Sequence, residues 1–211
     1  MRTLSRRLLL ILAALIVALP LLYAAWAWLR FPSDHTPEGA YLRVVTAVNR
    51  DAPERAFAYL ETRAQHACYT IRDMRRKAFE SISAHFPAAD RAKASESYRS
   101  FANAPDGGDV FAIYARERGW LDRLRRDLSG IVRSEINGDR ATIVTARGTR
   151  YAFRRRENGI WGLTLFTATL DAEAARASRD LALIEQSATD YQRVLPAAPT
   201  QTISQLPASA P

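Results

Sequence analysis

A chain of 211 residues is long enough for one domain of roughly 100–200 residues plus appendages. Hydrophobic residues at 48% and charged ones at 25% are ordinary for a globular protein. The formal charge of +8 suggests a nucleic-acid partner, but its distribution argues against one: Arg2, Arg6, Arg7 and Arg30 supply four of the eight excess charges with no acid among them, so a targeting segment inflates the basicity.

Residues 8 to 29, LLLILAALIVALPLLYAAWAWL, carry no charge, and at helical rise a run of that length crosses a bilayer core of roughly 30 Å. Arg2, Arg6 and Arg7 precede it, so the positive-inside bias puts the N-terminus in the cytoplasm and the rest outside. Tyr23, Trp26 and Trp28 crowd the outer end, where amphipathic rings favour the headgroup layer. The alternative is a signal peptide cleaved after Ala25–Trp26–Ala27, giving a secreted protein. The apolar run exceeds the usual signal-peptide core of roughly 7–15 residues, which favours a retained single-pass anchor over residues 1–30. That implies the inner membrane of a two-membrane bacterium, with the domain in the periplasm. Cys68 is the only cysteine, so the exported part folds without an internal disulfide.

A linker over 31–36 leads to Thr36, a plausible N-cap with Pro37 in the first helical position, and a helix through about Asn49. The helix then restarts, with Asp51 or a neighbour as its cap and Pro53 in its first turn. A longer helix is predicted over 62–86, where Ala64, Ala67, Cys68, Ile71, Met74, Ala78, Ile82 and Phe86 recur at three- and four-residue steps. Further helices are expected over 88–102 and 108–128, with a bend at Gly119.

The period then changes to two. Asn137–Gly138 reads as a two-residue turn, and residues 146–148 and 157–159 as three-residue loops closed by glycine. This register pairs Ile136 with Asp139, Ile143 with Tyr151, Ala141 with Phe153 and Phe153 with Leu163. It collects Val132, Ile136, Ala141, Ile143, Tyr151, Phe153, Trp161, Leu163 and Leu165 on one dry face of a four-stranded antiparallel meander. The other face receives Arg133, Arg140, Arg150, Arg154 and Arg156, with Glu135 opposite Arg140; Arg155 falls at the rim of the dry face beside Trp161. Helices before the sheet are the available cover, so the fold class is α+β. Residues 168–195 continue as an amphipathic helix with an apolar seam at Leu170, Ala174, Ala177, Leu181, Ile184, Ala188, Tyr191 and Leu195. Residues 196–211 read as a disordered tail.

Helices followed by a meander that closes on a turn-Gly-x-Trp strand resemble the NTF2-like (cystatin-like cone) superfamily, in its small, membrane-anchored bacterial envelope form. The resemblance is carried by AVNRDAPERAFAYL at 47–60 and by GDRATIV with RYAFRRRENGIWGLTL between 138 and 165. It implies a curved sheet wrapped on helices around a conical pocket in a domain spanning 37–167. The usual cone has an early strand among its helices, and no strand pattern is read there. Such cones host enzymes, binders and dimerisation modules alike.

Arg133, Arg140, Arg150, Arg154 and Arg156 are the candidate surface for an anionic lipid, an acidic glycan or an acidic protein. The plainer reading is a solvated sheet face, or one covered by Glu173, Asp180, Glu185 and Asp190 of the last helix. Tyr151 and Trp161, with residues of the 62–86 helix, are the candidate lining of a cone pocket. His66 and Cys68 are two apart on a helix and point about 200° apart, so no metal site is expected, and none of the serines or threonines sits in a nucleophile elbow. No catalytic residue and no cofactor are assigned. The expected function is a membrane-anchored, extracytoplasmic binding or interaction module. A small-pocket enzyme, or a homodimeric spacer joined through 170–195, is the alternative.

Overall fold

The computed structural model describes residues 15–24, 26 and 32–194. Half of the expected anchor over 8–29, and the tail from 196, lie outside the described residues. Within the anchor, 15–24 and Trp26 are helical, and Ile16, Leu21, Leu22 and Tyr23 are exposed. Among the described residues no helix is long and apolar enough to cross a membrane.

The first helix, α1 (Pro37–Asn49), starts as its cap residues dictate: Thr36 Oγ1 accepts from the Gly39 amide at 3.1 Å and Pro37 opens the first turn. Asp51 does not cap α2 (Pro53–Ala56). Its backbone is left-handed, at φ 54°, and its carboxylate takes Arg125 at 2.6 Å, while Ala52 holds the cap position without a side-chain bond. A 3-10 turn, Phe57–Tyr59, follows. The next helix, α3 (Thr62–His85), buries Ala64, Ala67, Cys68, Ile71, Ala78 and Ile82 of the stripe that the spacing predicts, but Met74 is only half-buried and Arg75 takes the buried position beside it. It is followed by α4 (Ala88–Ala102), α5 (Gly107–Glu117) and α6 (Trp120–Asp127). The capping box of Asp106 and Asp109 starts α5, and Gly119 at φ 62° splits the expected 108–128 helix in two.

The sheet is a four-stranded antiparallel meander in the order β1 (Ile131–Asn137), β2 (Arg140–Thr145), β3 (Arg150–Arg155), β4 (Trp161–Leu163). From β2 onward the register is the expected one: Ala141 pairs with Phe153, Ile143 with Tyr151 and Phe153 with Leu163. β1 differs. The two-residue turn is Gly138–Asp139 rather than Asn137–Gly138, so Ile136 pairs with Ala141 and the strand is displaced by two residues. Only Gly138 of that pair is left-handed, at φ 61°, which matches the turn with glycine at the first central position.

A shift of two keeps every side chain on its face, but a bulge between Ile131 and Arg133 does not. Ile131 therefore packs against the core and Val132 is 62% exposed. Ile136 keeps its face yet is 58% exposed: it lies on an edge strand two residues beyond Ser134, whose hydroxyl meets Glu38 in the first turn of α1, so the cover stops there. Leu165, 53% exposed, lies past the end of β4. These three expected core residues are outside the core.

The dry face packs on α1, where Tyr41 places its ring 5.5 Å from that of Tyr151 and its hydroxyl 2.8 Å from the Ser129 carbonyl. Phe111, Trp120 and Phe166 extend the same core, with Trp120 and Phe166 stacked at 4.5 Å. The last helix, α7 (Thr167–Val194), lies along α3. Of its expected seam, Leu170, Ala174, Ala177, Leu181 and Ala188 are buried within this chain, Ile184 and Tyr191 are half-buried, and Leu195 lies outside the described residues; Leu183 faces outward. A separate small cluster of Ile82, Phe86 and Ala188 closes the far end of the α3–α4–α7 layer.

Candidate functional site

Strand alternation puts Arg133, Arg140, Arg150 and Arg154 on the outer face of the sheet, as the register requires. Most of that charge is neutralised locally. Glu135 accepts from Arg133 Nε at 2.9 Å and Arg150 Nη2 at 2.6 Å, and these two guanidiniums hold its carboxyl below the usual carboxylate range. The expected Glu135–Arg140 pair does not form, because the two-residue displacement sets Glu135 opposite Thr142. Arg154 reaches Asp139 at 3.1 Å and Glu61 at 3.6 Å. Arg156 has left the strand, and its Nη1 donates to the Ala58 carbonyl at 2.8 Å. Arg140 sits directly opposite Arg154 and, like Arg155, is exposed with no hydrogen bond or ion pair from its side chain among the described residues.

The acids of the last helix do not cover this face. Glu173 binds Arg118 and lies 3.2 Å from the Tyr114 hydroxyl, and Asp180 binds Arg75 at 2.7 Å.

The three consecutive arginines 154–156 line an open cleft of about 860 Å³, together with Glu61, Arg63, His66, Asp139, Glu157, Asn158 and Asp171. Three local features build it. Leu60 forms a parallel bridge to Leu163, and the Glu61 amide donates to the Leu163 carbonyl at 3.1 Å, so the chain crosses the free edge of β4 just before α3 begins. Gly162 permits that approach, since a Cβ there would lie 2.7 Å from the Glu61 backbone. The starts of α3 and α7 are then tied by Thr167 Oγ1 donating to Glu61 at 2.7 Å and by Arg63–Asp171 at 2.6 Å. The β3–β4 hairpin forms the third wall. Every wall is charged and the mouth is wide, so the cleft suits a polar, extended ligand rather than a small one enclosed on all sides.

Tyr151 and Trp161, expected as pocket lining, are core residues. Tyr151 is packed against Tyr41, and burial pushes its phenol up to about 12, with Tyr41 and Asp127 adding to the shift. The Trp161 indole donates to the His35 carbonyl at 3.1 Å. Cys68 is fully buried on the α3 stripe, and desolvation raises its thiol to about 12. His66 stands on the cleft wall, while His85 meets Gln192 at 2.9 Å. Among the described residues no group of three or more His, Cys, Asp or Glu side chains is placed to hold a metal.

The convergence of Glu61, Arg63, His66 and Asp171 with Arg155 is not visible in the sequence, because the contacts span about a hundred residues and no local period marks them. Arg75 was also missed: it occupies the apolar stripe of α3, buried against Tyr98 at 5.1 Å from the ring centre. Comparison of the chain with family models, curated proteins and solved structures finds no match.

Proposed function

We propose that this protein is a membrane-anchored, extracytoplasmic binding module of NTF2-like type, and that the cleft beside the β3–β4 hairpin takes a carboxylate- or phosphate-bearing ligand. The observation that carries this reading is that Arg63 and the run Arg154–Arg156 meet on one open cleft, where Glu61, Asp139 and Asp171 engage Arg154 and Arg63 and leave Arg155 unpaired among the described residues. Guanidinium forks match carboxylate and phosphate oxygens in geometry as well as charge. Arg155 is the donor to start from, because it has no internal partner to give up. The Leu60–Leu163 bridge supports the family reading, since it occupies the free sheet edge at the point where an early strand would join. The enzyme alternative places Tyr151, Trp161 and residues of the 62–86 helix around a pocket: Tyr151 and Trp161 are in the core, whereas Arg63 and His66 of that helix line the cleft. The spacer alternative needs a free α7 seam, most of which is buried in the same chain.

The test is titration of the full chain in neutral detergent with an acidic oligosaccharide and with oligo-aspartate. Arg155→Glu and Arg63→Glu each weaken binding by about tenfold, and added salt weakens the parent in the same direction. Equal affinities for parent and variants would remove the cleft as the binding site.

A further inference from the structure

The chain enters the domain at one particular end of the sheet. The Asp34 carbonyl accepts from the Trp161 amide at 3.3 Å and the His35 carbonyl accepts from the Trp161 indole at 3.1 Å. The His35 ring lies where a Cβ on Gly159 would stand, 2.7 Å from Nδ1. The linker is therefore held against the β3–β4 turn. Antiparallel pairing fixes what else is at that end. Arg155 pairs with Trp161, Arg140 with Arg154 and Ile136 with Ala141, so the β1–β2 and β3–β4 turns lie side by side there. The β2–β3 turn is at the opposite end, about 20 Å away along a six-residue strand.

The apolar run ends at Leu29 and the linker is held from Asp34, so only residues 30–33 separate the two. The five Cα steps from Leu29 to Asp34 reach at most about 18 Å, so the linker keeps this end of the sheet within about that distance of the hydrocarbon boundary, of which the headgroup layer takes roughly 5–8 Å. Resting on the anchor reading above, we infer that this end of the sheet docks on the outer surface of the bilayer, with Arg140, which lies outside the cleft, on lipid phosphates. The side chains present suit that position. Arg140 and Arg155 are exposed and unpaired among the described residues, and Ile136 is an exposed apolar residue beside them. Of the carboxylates at this end, Asp139 is taken by Arg154 and Asp34 by Arg43 at 3.7 Å, which leaves Glu157 at the turn. Guanidiniums with an apolar neighbour are the usual composition of an interfacial contact. The cleft wall formed by the same hairpin then opens next to the headgroups.

The experiment uses the full chain reconstituted into vesicles of phosphatidylcholine, alone or mixed with phosphatidylglycerol. A fluorophore is placed on Asn158→Cys or on Ala146→Cys, one at each end of the sheet; Cys68 is fully buried and does not compete for label. Quenching by headgroup-borne nitroxide is expected to be several-fold stronger at position 158 than at 146, and stronger still with phosphatidylglycerol. Arg140→Glu, at a position exposed, unpaired among the described residues and outside the cleft, brings 158 to the level of 146 with an unchanged thermal melt. Vesicle-bound protein with equal quenching at both positions overturns the docking and leaves the anchor standing. Protein that fails to float with vesicles after alkaline extraction overturns both.

Discussion

The sheet side of the molecule and the far end of the α3–α4–α7 layer bury their apolar surface in different ways. On the sheet side Tyr41, Phe111, Trp120, Tyr151, Phe153, Trp161 and Phe166 form one continuous aromatic core. At the far end the sealed cluster is Ile82, Phe86 and Ala188, with Ala94, Tyr98, Ile184 and Tyr191 only partly buried. A large aromatic buries roughly 150–250 Å², so the two ends differ several-fold in what water exclusion contributes. The far end makes up some of that difference with polar contacts: Arg75 to Asp180, Tyr191 near Asp90 and Gln192 with His85. The core holds the molecule together, whereas polar pairs mainly align the ends of its helices.

The largest expected effect follows from breaking the sheet side. Phe153 is fully buried and pairs with Ala141 on one side and Leu163 on the other. Phe153→Ala should cost about 3–5 kcal/mol and lower the denaturant midpoint followed by tryptophan emission. Trp120 and Trp161 both sit in that core and report on it directly. A loss below about 1 kcal/mol would mean that the two ends share stability evenly.

A middle-sized effect tests the polar side of the comparison. Arg75 is 9% exposed and its Nε has no partner, so its charge depends on Asp180 and the ring of Tyr98. Asp180→Ala leaves that guanidinium buried without its carboxylate and should cost about 1–3 kcal/mol. Arg75→Met with Asp180→Leu, which removes both charges, should recover most of that loss. Hydrogen exchange should show the Asp180→Ala loss mainly in α4 and the second half of α7, with β2 and β3 little changed. Uniform loss of protection would show that the two ends open together.

What the sequence made legible follows the same division. Glycine-closed loops at Gly148 and Gly159 set the β2–β4 register, because each needs a left-handed residue at one place only, and the structure has φ of 79° and 82° there. At Asn137–Gly138–Asp139 two adjacent pairs can form a two-residue turn, and local chemistry did not choose between them. The bulge at Val132 has no local mark either; it is fixed by Ile131 finding the core. The helical stripes of α3 and α7 were readable as apolar seams, but not the arginine inside one of them. The cleft was least legible. Its arginine run stands out in the sequence, yet the carboxylates that partner Arg154 are Glu61 and Asp139, and Asp171 partners Arg63, pairings that tertiary structure assembles.

The smallest expected effect concerns the exposed edge of the sheet, where charge acts without burial. Arg133 and Arg150 stabilise the ionised form of Glu135 and lower its folded pKa from the ordinary 4.5. A depressed folded pKa contributes stability that is fully present above the unfolded value and disappears as pH falls through the folded one. The parent should therefore lose more stability than Glu135→Gln as pH falls below about 4.5, and the two should run parallel at neutral pH. Both guanidiniums are more than half exposed, at 59% and 54%, so salt should shrink the difference. The measurement is the parent-minus-variant midpoint against pH, which cancels the other carboxylates. A difference that is independent of pH would mean that Glu135 acts through packing or strand preference. In that case the outer face would gain nothing from its ion pairs, and the contrast between a core that holds the fold and a charged surface that leaves Arg140 and Arg155 free for a partner would be complete.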